Sequence, residues 1–174
     1  MVHIEESHSI LQKFKNMPMK MVIIESRFSA NNTYDLVKNR KFTLACMRDC
    51  FMRGEAPYAS HVIYAHTHIL DDFIASERAL GMHAGFLWGN FGSKTVVYED
   101  LGISEGMIMG IEHAKSVGRN VEYRKLGFIP TVSDEEVILE NKVIENQRNL
   151  LEIIKKEIHP EKNMCLKEVL INKE

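Results

Sequence analysis

The stretch from Thr95 to Arg119, TVVYEDLGISEGMIMGIEHAKSVGR, limits the possible folds most, because a β-branched apolar run passes through Gly102, Ser104 and Gly106 into a helical pattern. A strand that feeds a helix through small residues leaves unpaired backbone N–H groups at the helix start, and these attract phosphate or carboxylate. Ser104 fits an N-cap. Gly102 and Gly106 permit close backbone approach, and Asp100 falls at the carboxyl end of the strand, where open α/β sheets bind ligands. The simpler reading of the same residues is a tight strand-to-helix turn. Neither a GxGxxG fingerprint nor a GxxxxGK[ST] phosphate loop occurs in the chain.

The rest of the chain repeats this alternation. Met19 to Glu25 (MKMVIIE) is a continuous apolar run of strand length, the kind buried on both faces of a parallel sheet. The turn formers SRFSANN follow, and Phe42, Cys46, Met47 and Cys50 then recur at helical spacing between Asn39 and Arg53, with Gly54 as C-cap. Tyr58 to Tyr64 (YASHVIY) reads as a second strand, Leu70 to Phe91 as a loop and a helix, Thr95 to Tyr98 as a third strand and Val121 to Tyr123 as a fourth. Strands and helices alternating at this length imply parallel crossover units. The expected fold is therefore α/β: a small doubly wound, flavodoxin-like or Rossmannoid parallel sheet with helices on both faces.

The two ends differ from this body. Residues 1–18 are polar with scattered apolar positions and end at Pro18, as a short helical or irregular extension would; residues 19–130 form the α/β domain. Residues 131–174 form a C-terminal helical extension, opened by Ser133 with Glu136 three positions on and carrying Lys155 and Lys156 in its last turn. Its apolar positions, among them Val137, Ile138, Val143, Ile144, Leu150 and Ile153, make a wide stripe. Such a stripe suits a homo-oligomer through this helix or, as the alternative, a lid over the chain's own core.

Charge and composition narrow the partners. At 174 residues with 45% hydrophobic content and a net charge of −2, the chain can bury one core and has no basic patch for duplex nucleic acid. Cys46, Cys50 and Cys165 form neither a zinc set nor a disulfide framework, which fits a reducing cytoplasm. No apolar run approaches the roughly 20 residues of a membrane span. His66 and His68 on a strand would face opposite ways, and without an HExxH pair no metal or other cofactor is expected.

The succession VIIESRFS, ERALGMHAGFLWG and VVYEDLGISEGMIMGIEHAKSVGRNVEY resembles phage and bacterial domains of unknown function related to the nucleoside 2-deoxyribosyltransferases, over about residues 19–126. Its most specific piece is DLGISEGM. The resemblance implies a flavodoxin-like sheet, a base and sugar pocket lined by Ser26, Arg27 and Phe28, and a helix-opening turn from Ser104 to Met107 beside a bound nucleoside. It also implies a nucleophilic Glu about one turn into that helix, and here the chain departs from the pattern. The matching position is Gly110 when aligned on Gly106, or Met109 when aligned on Ser104, and neither can attack.

Glycosyl transfer needs a carboxylate near the sugar carbon. Glu105 and Asp100 are the candidates to replace the missing acid, with Asp71, Asp72 and Glu77 behind them. Glu105 and Glu112 lie about 20° apart on the helix, opposite its apolar stripe, so a solvated face competes with catalysis for them. Asp71 and Asp72 fit either ligand hydroxyls or a helix-start charge pair, Arg78 either a phosphate or a surface pair, and His61 either a ligand hydrogen bond or the strand interior. Gly81 and Gly85 suit close packing of their helix on the sheet, and Trp88 suits the core. The expected function is recognition of a nucleoside, nucleotide or ADP-ribose-like ligand at the carboxyl edge of the sheet, as a phage-encoded protein would sequester a nucleotide signal. The alternative is an N-glycosidic bond hydrolase or a ribosyl or deoxyribosyl transferase.

Overall fold

In a computed structural model, residues 4–65, 69–72 and 74–158 are described; His66, His68 and Cys165 lie outside them. Four strands, β1 (Lys20–Glu25), β2 (Glu55–Tyr58), β3 (Lys94–Tyr98) and β4 (Asn120–Arg124), form one all-parallel sheet in the order β2-β1-β3-β4. The chain starts in the middle, moves to one edge at β2 and then to the other through β3 and β4. The order therefore reverses between β1 and β3, and the carboxyl ends of these two strands flank the crevice in which such sheets bind ligands.

Alternation along the central strands assigns the two faces. Val22, Ile24, Val96 and Tyr98 pack with Phe42, Cys46 and Cys50 of helix α2 (Thr33–Met52). Val97 points the other way, onto Met107 and Ile111 of helix α5 (Glu105–Ser116). Helices thus cover both faces of this α/β fold, and both central strands are buried runs of the parallel-sheet type.

Between these elements lie helix α1 (Ile4–Phe14), the short helix α3 (Ser60–Tyr64) and helix α4 (Ala75–Gly89). Helix α2 starts six residues before the expected Asn39, because Asn32 in the turn-rich run accepts the Asp35 backbone N–H at 2.8 Å and caps it.

The second strand is also displaced. It is EAPY rather than YASHVIY, and its Pro57 is tolerated because β2 is an edge strand with one unpaired side. Ser60 to Tyr64 turns into α3, so His61 reaches the crevice from a helix. Gly81 and Gly85 serve this helix and not the sheet: a Cβ on Gly85 would stand 2.8 Å from the Ser60 side chain, and one on Gly81 would meet Leu70 and Tyr64. Trp88, expected in the core, is 55% exposed at the far end of α4 and tilts against Tyr58 and Phe91.

The C-terminal helix α6 (Asp134–Ile158) has its capping box, with Ser133 N–H donating to Glu136 at 2.8 Å and Glu136 N–H donating to Ser133 Oγ at 3.3 Å. It lies against α2. Arg40 pairs with Glu140, Lys41 Nζ reaches Glu136 at 2.7 Å, and Thr33 donates to Asn141 at 2.8 Å. Arg40 and Lys41 thus dock α6 onto α2. Ile138, Leu150 and Ile153 of the apolar stripe remain exposed. No helix among the described residues is long and apolar enough to cross a membrane.

Candidate functional site

A cleft opens at the carboxyl ends of β1 and β3 and runs down between α4 and α5, over the sheet face that carries Ile23 and Glu25. Its space, counted together with the open mouth, is about 730 Å³. Ser104 caps α5 by accepting the Met107 N–H at 3.4 Å, and Ser104, Gly106 and Met107 form one lip. Arg78 of α4 forms the other, held by Asp72 at 2.6 Å.

Below the lips, a hydrogen-bonded chain crosses the end of β1. Thr43 donates to Asn39 O at 3.0 Å, so its 2.8 Å contact with Ser26 needs the Ser26 proton. His61 Nε2, 3.1 Å from Ser26 Oγ, must then be the N–H donor. Burial pushes the His61 pKa down to about 4, so the ring is neutral at physiological pH and the chain of donors is consistent. Phe28 packs on the same ring, with centroids 5.2 Å apart.

One level deeper stands Glu25, the last residue of β1. Burial raises its pKa to about 8, against the opposing pull of Arg119. At neutral pH it is therefore mostly a carboxylic acid, able both to donate and to accept. Its place depends on Gly110: a Cβ at position 110 would come 2.1 Å from Glu25 Oε1. The strand acid fills the space that a side chain from this turn of α5 would take.

Arg119 lies deeper still. Its Nη1 donates to Thr95 Oγ1 at 3.3 Å, and Thr95 pairs with Ile23, whereas Glu25 pairs with Val97. The guanidinium is thus about two residues, roughly 6.6 Å, further from the mouth than Glu25. Burial lowers its pKa while Glu25 opposes the shift, and Nη2 is buried with no hydrogen-bond partner among the described residues. Phe86 walls this end, stacked on His113 at 4.2 Å.

A second, polar cleft adjoins the first and shares Ser29, Asp72 and Arg78 with it. Arg27 and Lys38 line it; Arg27 Nη1 donates to Leu101 O at 3.1 Å, and Lys38 pairs with Asp35.

Of the residues expected from the sequence, Ser26, Phe28, His61, Asp72 and Arg78 line the deep cleft with Ser104, Gly106 and Met107, and Arg27 lines the polar one. The two expected catalytic acids are not brought there. Asp100 accepts from the backbone N–H groups of Leu126 and Gly127 at 3.1 and 2.7 Å, which ties down the loop after β4. Glu105 is exposed on the outer face of α5, as is Glu112. Asp71 stands behind the lip with its N–H donating to Glu77 at 2.6 Å, and Gly102 holds a left-handed turn (φ 75°) outside the cleft. The residues the sequence reading missed are Glu25 and Arg119. A signal for Glu25 is present: the apolar run MVII ends on a charge at the carboxyl edge.

No curated protein and no solved structure matches the chain. Residues 20–124, from the first residue of β1 to the last of β4, match the family described as Domain of unknown function (DUF7768), and the chain belongs to that family.

Proposed function

We propose that the cleft between α4 and α5 binds a nucleoside or nucleotide-like ligand. The observation that carries this reading is the enclosed Glu25 carboxyl group, set in a cavity at the reversal point of the sheet in the space left by Gly110. Around it the cavity offers the groups such a ligand needs. The walls of Phe28 and Phe86 suit a planar base, Ser26 and Glu25 suit hydroxyls or a base edge, and the mouth carries Arg78 with Arg27 beside it. The resemblance of DLGISEGM to the nucleoside 2-deoxyribosyltransferases supports the same ligand class.

A screen of thermal stability against nucleosides, their 5′-monophosphates, NAD and cyclic ADP-ribose tests the reading, since a ligand that binds only the folded chain raises its Tm by mass action. A shift from at least one of these is expected. No shift from any of them at millimolar concentration refutes it. Gly106→Val should weaken binding of the active compound at least tenfold while the fold survives, because the added Cβ already stands 3.1 Å from Arg78 Nη2 and the branches crowd the lip. Isothermal titration with the folded variant checks this, and unchanged affinity removes the α5 lip from the site.

The position of Glu25 favours a second reading, N-glycosidic bond hydrolysis with the acid supplied from the strand instead of the helix. Protonated Glu25 would give its proton to the departing base nitrogen as the C–N bond breaks, and water adding at the anomeric carbon would return one. Chromatography of the bound compound separates the two: intact ligand supports recognition, free base supports hydrolysis.

The exposed Ile138, Leu150 and Ile153 of α6 support self-association. Light scattering over a range of concentrations is expected to give a mass near twice 20.0 kDa. A constant monomer mass contradicts it.

A further inference from the structure

We infer that the polar cleft holds a phosphate group of the ligand whose base lies in the deep cleft, so that the chain takes a nucleotide in preference to a nucleoside. The inference rests on the reading above and specifies its ligand. The two clefts meet at Ser29, Asp72 and Arg78, so one molecule can span them. Cations from three separate stretches converge on the polar cleft: Arg27 from the segment after β1, Lys38 from α2 and Arg78 from α4. Lys38 and Arg78 are paired with Asp35 and Asp72, whereas the Arg27 hydrogen bond goes to the neutral carbonyl of Leu101. Three cations thus stand against two carboxylates in the lining, and the surplus charge is positive.

The linings fix which end of the ligand goes where. In the deep cleft a phosphate would lose its water among Phe28, Met82, Phe86 and Met107, beside a Glu25 carboxyl group that burial already holds uncharged. The cation at that end, Arg119, packs its terminal nitrogens at Gly89, 3.0 and 3.1 Å from the place of a Cβ there. In the polar cleft the phosphate keeps part of its water and meets the exposed Arg27 guanidinium. The reverse placement would set a planar base among charged side chains. Arg78 stands at the junction: its Nη1 holds Asp72 at 2.6 Å, and its Nη2 lies 3.1 Å from the place of a Cβ on Gly106, at the lip of α5.

The probes are adenosine, guanosine, uridine and cytidine, each against its own 5′-monophosphate, and inorganic phosphate alone. Isothermal titration of the intact chain is expected to show at least about a 10-fold preference for the monophosphate of whichever base binds, the least that one charge-assisted hydrogen bond gives. The preference should shrink as salt is raised, since these cations face water. In Arg27→Gln the ratio of the two affinities should fall to within about twofold, a readout that a general loss of folding or of base binding does not move. Lys38→Gln, which removes a second cation of the same cleft, should lower the ratio as well, and it serves if the first variant does not fold. A nucleoside that binds as tightly as its monophosphate overturns the inference and leaves nucleoside binding standing, as does a ratio that persists in both variants. Inorganic phosphate binding as tightly as the nucleotide also overturns it, because the two clefts would then not share one ligand. Failure of all four pairs to bind overturns the inference together with the reading it rests on.

Discussion

Replacing Glu55 with alanine is expected to lower the stability of the fold by about 3–5 kcal/mol, the usual cost of leaving one member of a buried ion pair alone. Glu55 accepts from both terminal nitrogens of Arg124 at 2.8 Å and from Lys94 at 2.7 Å, which ties β2 to β3 and β4 across β1. Arg124 also donates to Glu122 at 2.7 Å, and Glu122 in turn accepts from Lys94. Without Glu55, a guanidinium only 8% exposed keeps a single carboxylate partner at short range, on an exposed side chain. Urea unfolding measures the loss, and a change below about 1 kcal/mol would show that this network does not hold the sheet edge.

The same network sets an acid limit. The hydrogen bonds from Arg124, with Lys94 assisting, hold the Glu55 carboxyl pKa down at about 2, and those from Arg124 and Lys94 do the same for Glu122. Both groups are near 4.5 when unfolded, so their contribution is complete above that value and is lost as the pH falls toward 2.

Glu25→Gln is expected to do the opposite: to stabilise the chain at alkaline pH. The Glu25 pKa rises from 4.5 in the unfolded chain to about 8 in the fold, so the folded state holds the extra proton across this window. Stability from this group is therefore fully present below pH 4.5 and lost as the pH rises through about 8. The full swing is on the order of 5 kcal/mol. Glutamine, which has the shape of the protonated acid and cannot ionise, should abolish this slope. Denaturation at pH 5 and pH 9 should show the wild type losing stability relative to the variant. Parallel profiles would mean that Glu25 titrates normally and that the cleft is wetter than its geometry indicates.

Strands β1 and β3 are legible in the sequence because their central residues are buried on both faces, and runs of β-branched residues such as VII and TVV have few other uses in a chain of this length. Helix α5 is legible through Ser104 and Gly118, which mark its ends chemically. Strand β2 is not, since EAPY owes its conformation to pairing with β1 and to the Arg124 grip on Glu55, neither of which is local. YASHVIY has β-propensity, and α3 overrides it by packing on the glycine face of α4.

The candidate site divides in the same way. Ser104, Gly106 and Met107 belong to one local motif. Glu25, Gly110 and Arg119 come from three separated stretches, and only the crossing of β1 under α5 makes them neighbours. Asp100 draws attention by its position, yet the loop after β4 occupies its carboxylate.

The sharing of one small volume by Glu25 and position 110 also restricts how this chain can change. An acid introduced by Gly110→Glu would meet the carboxyl group already there, and loss of Glu25 alone leaves a void with no acid in the cleft. Each single step is therefore expected to be worse than either end point, and the exchange of strand acid for helix acid is strongly non-additive. Two lineages that differ in which element supplies the carboxyl group would be separated by a mutational valley, even with every other residue of the cleft in common.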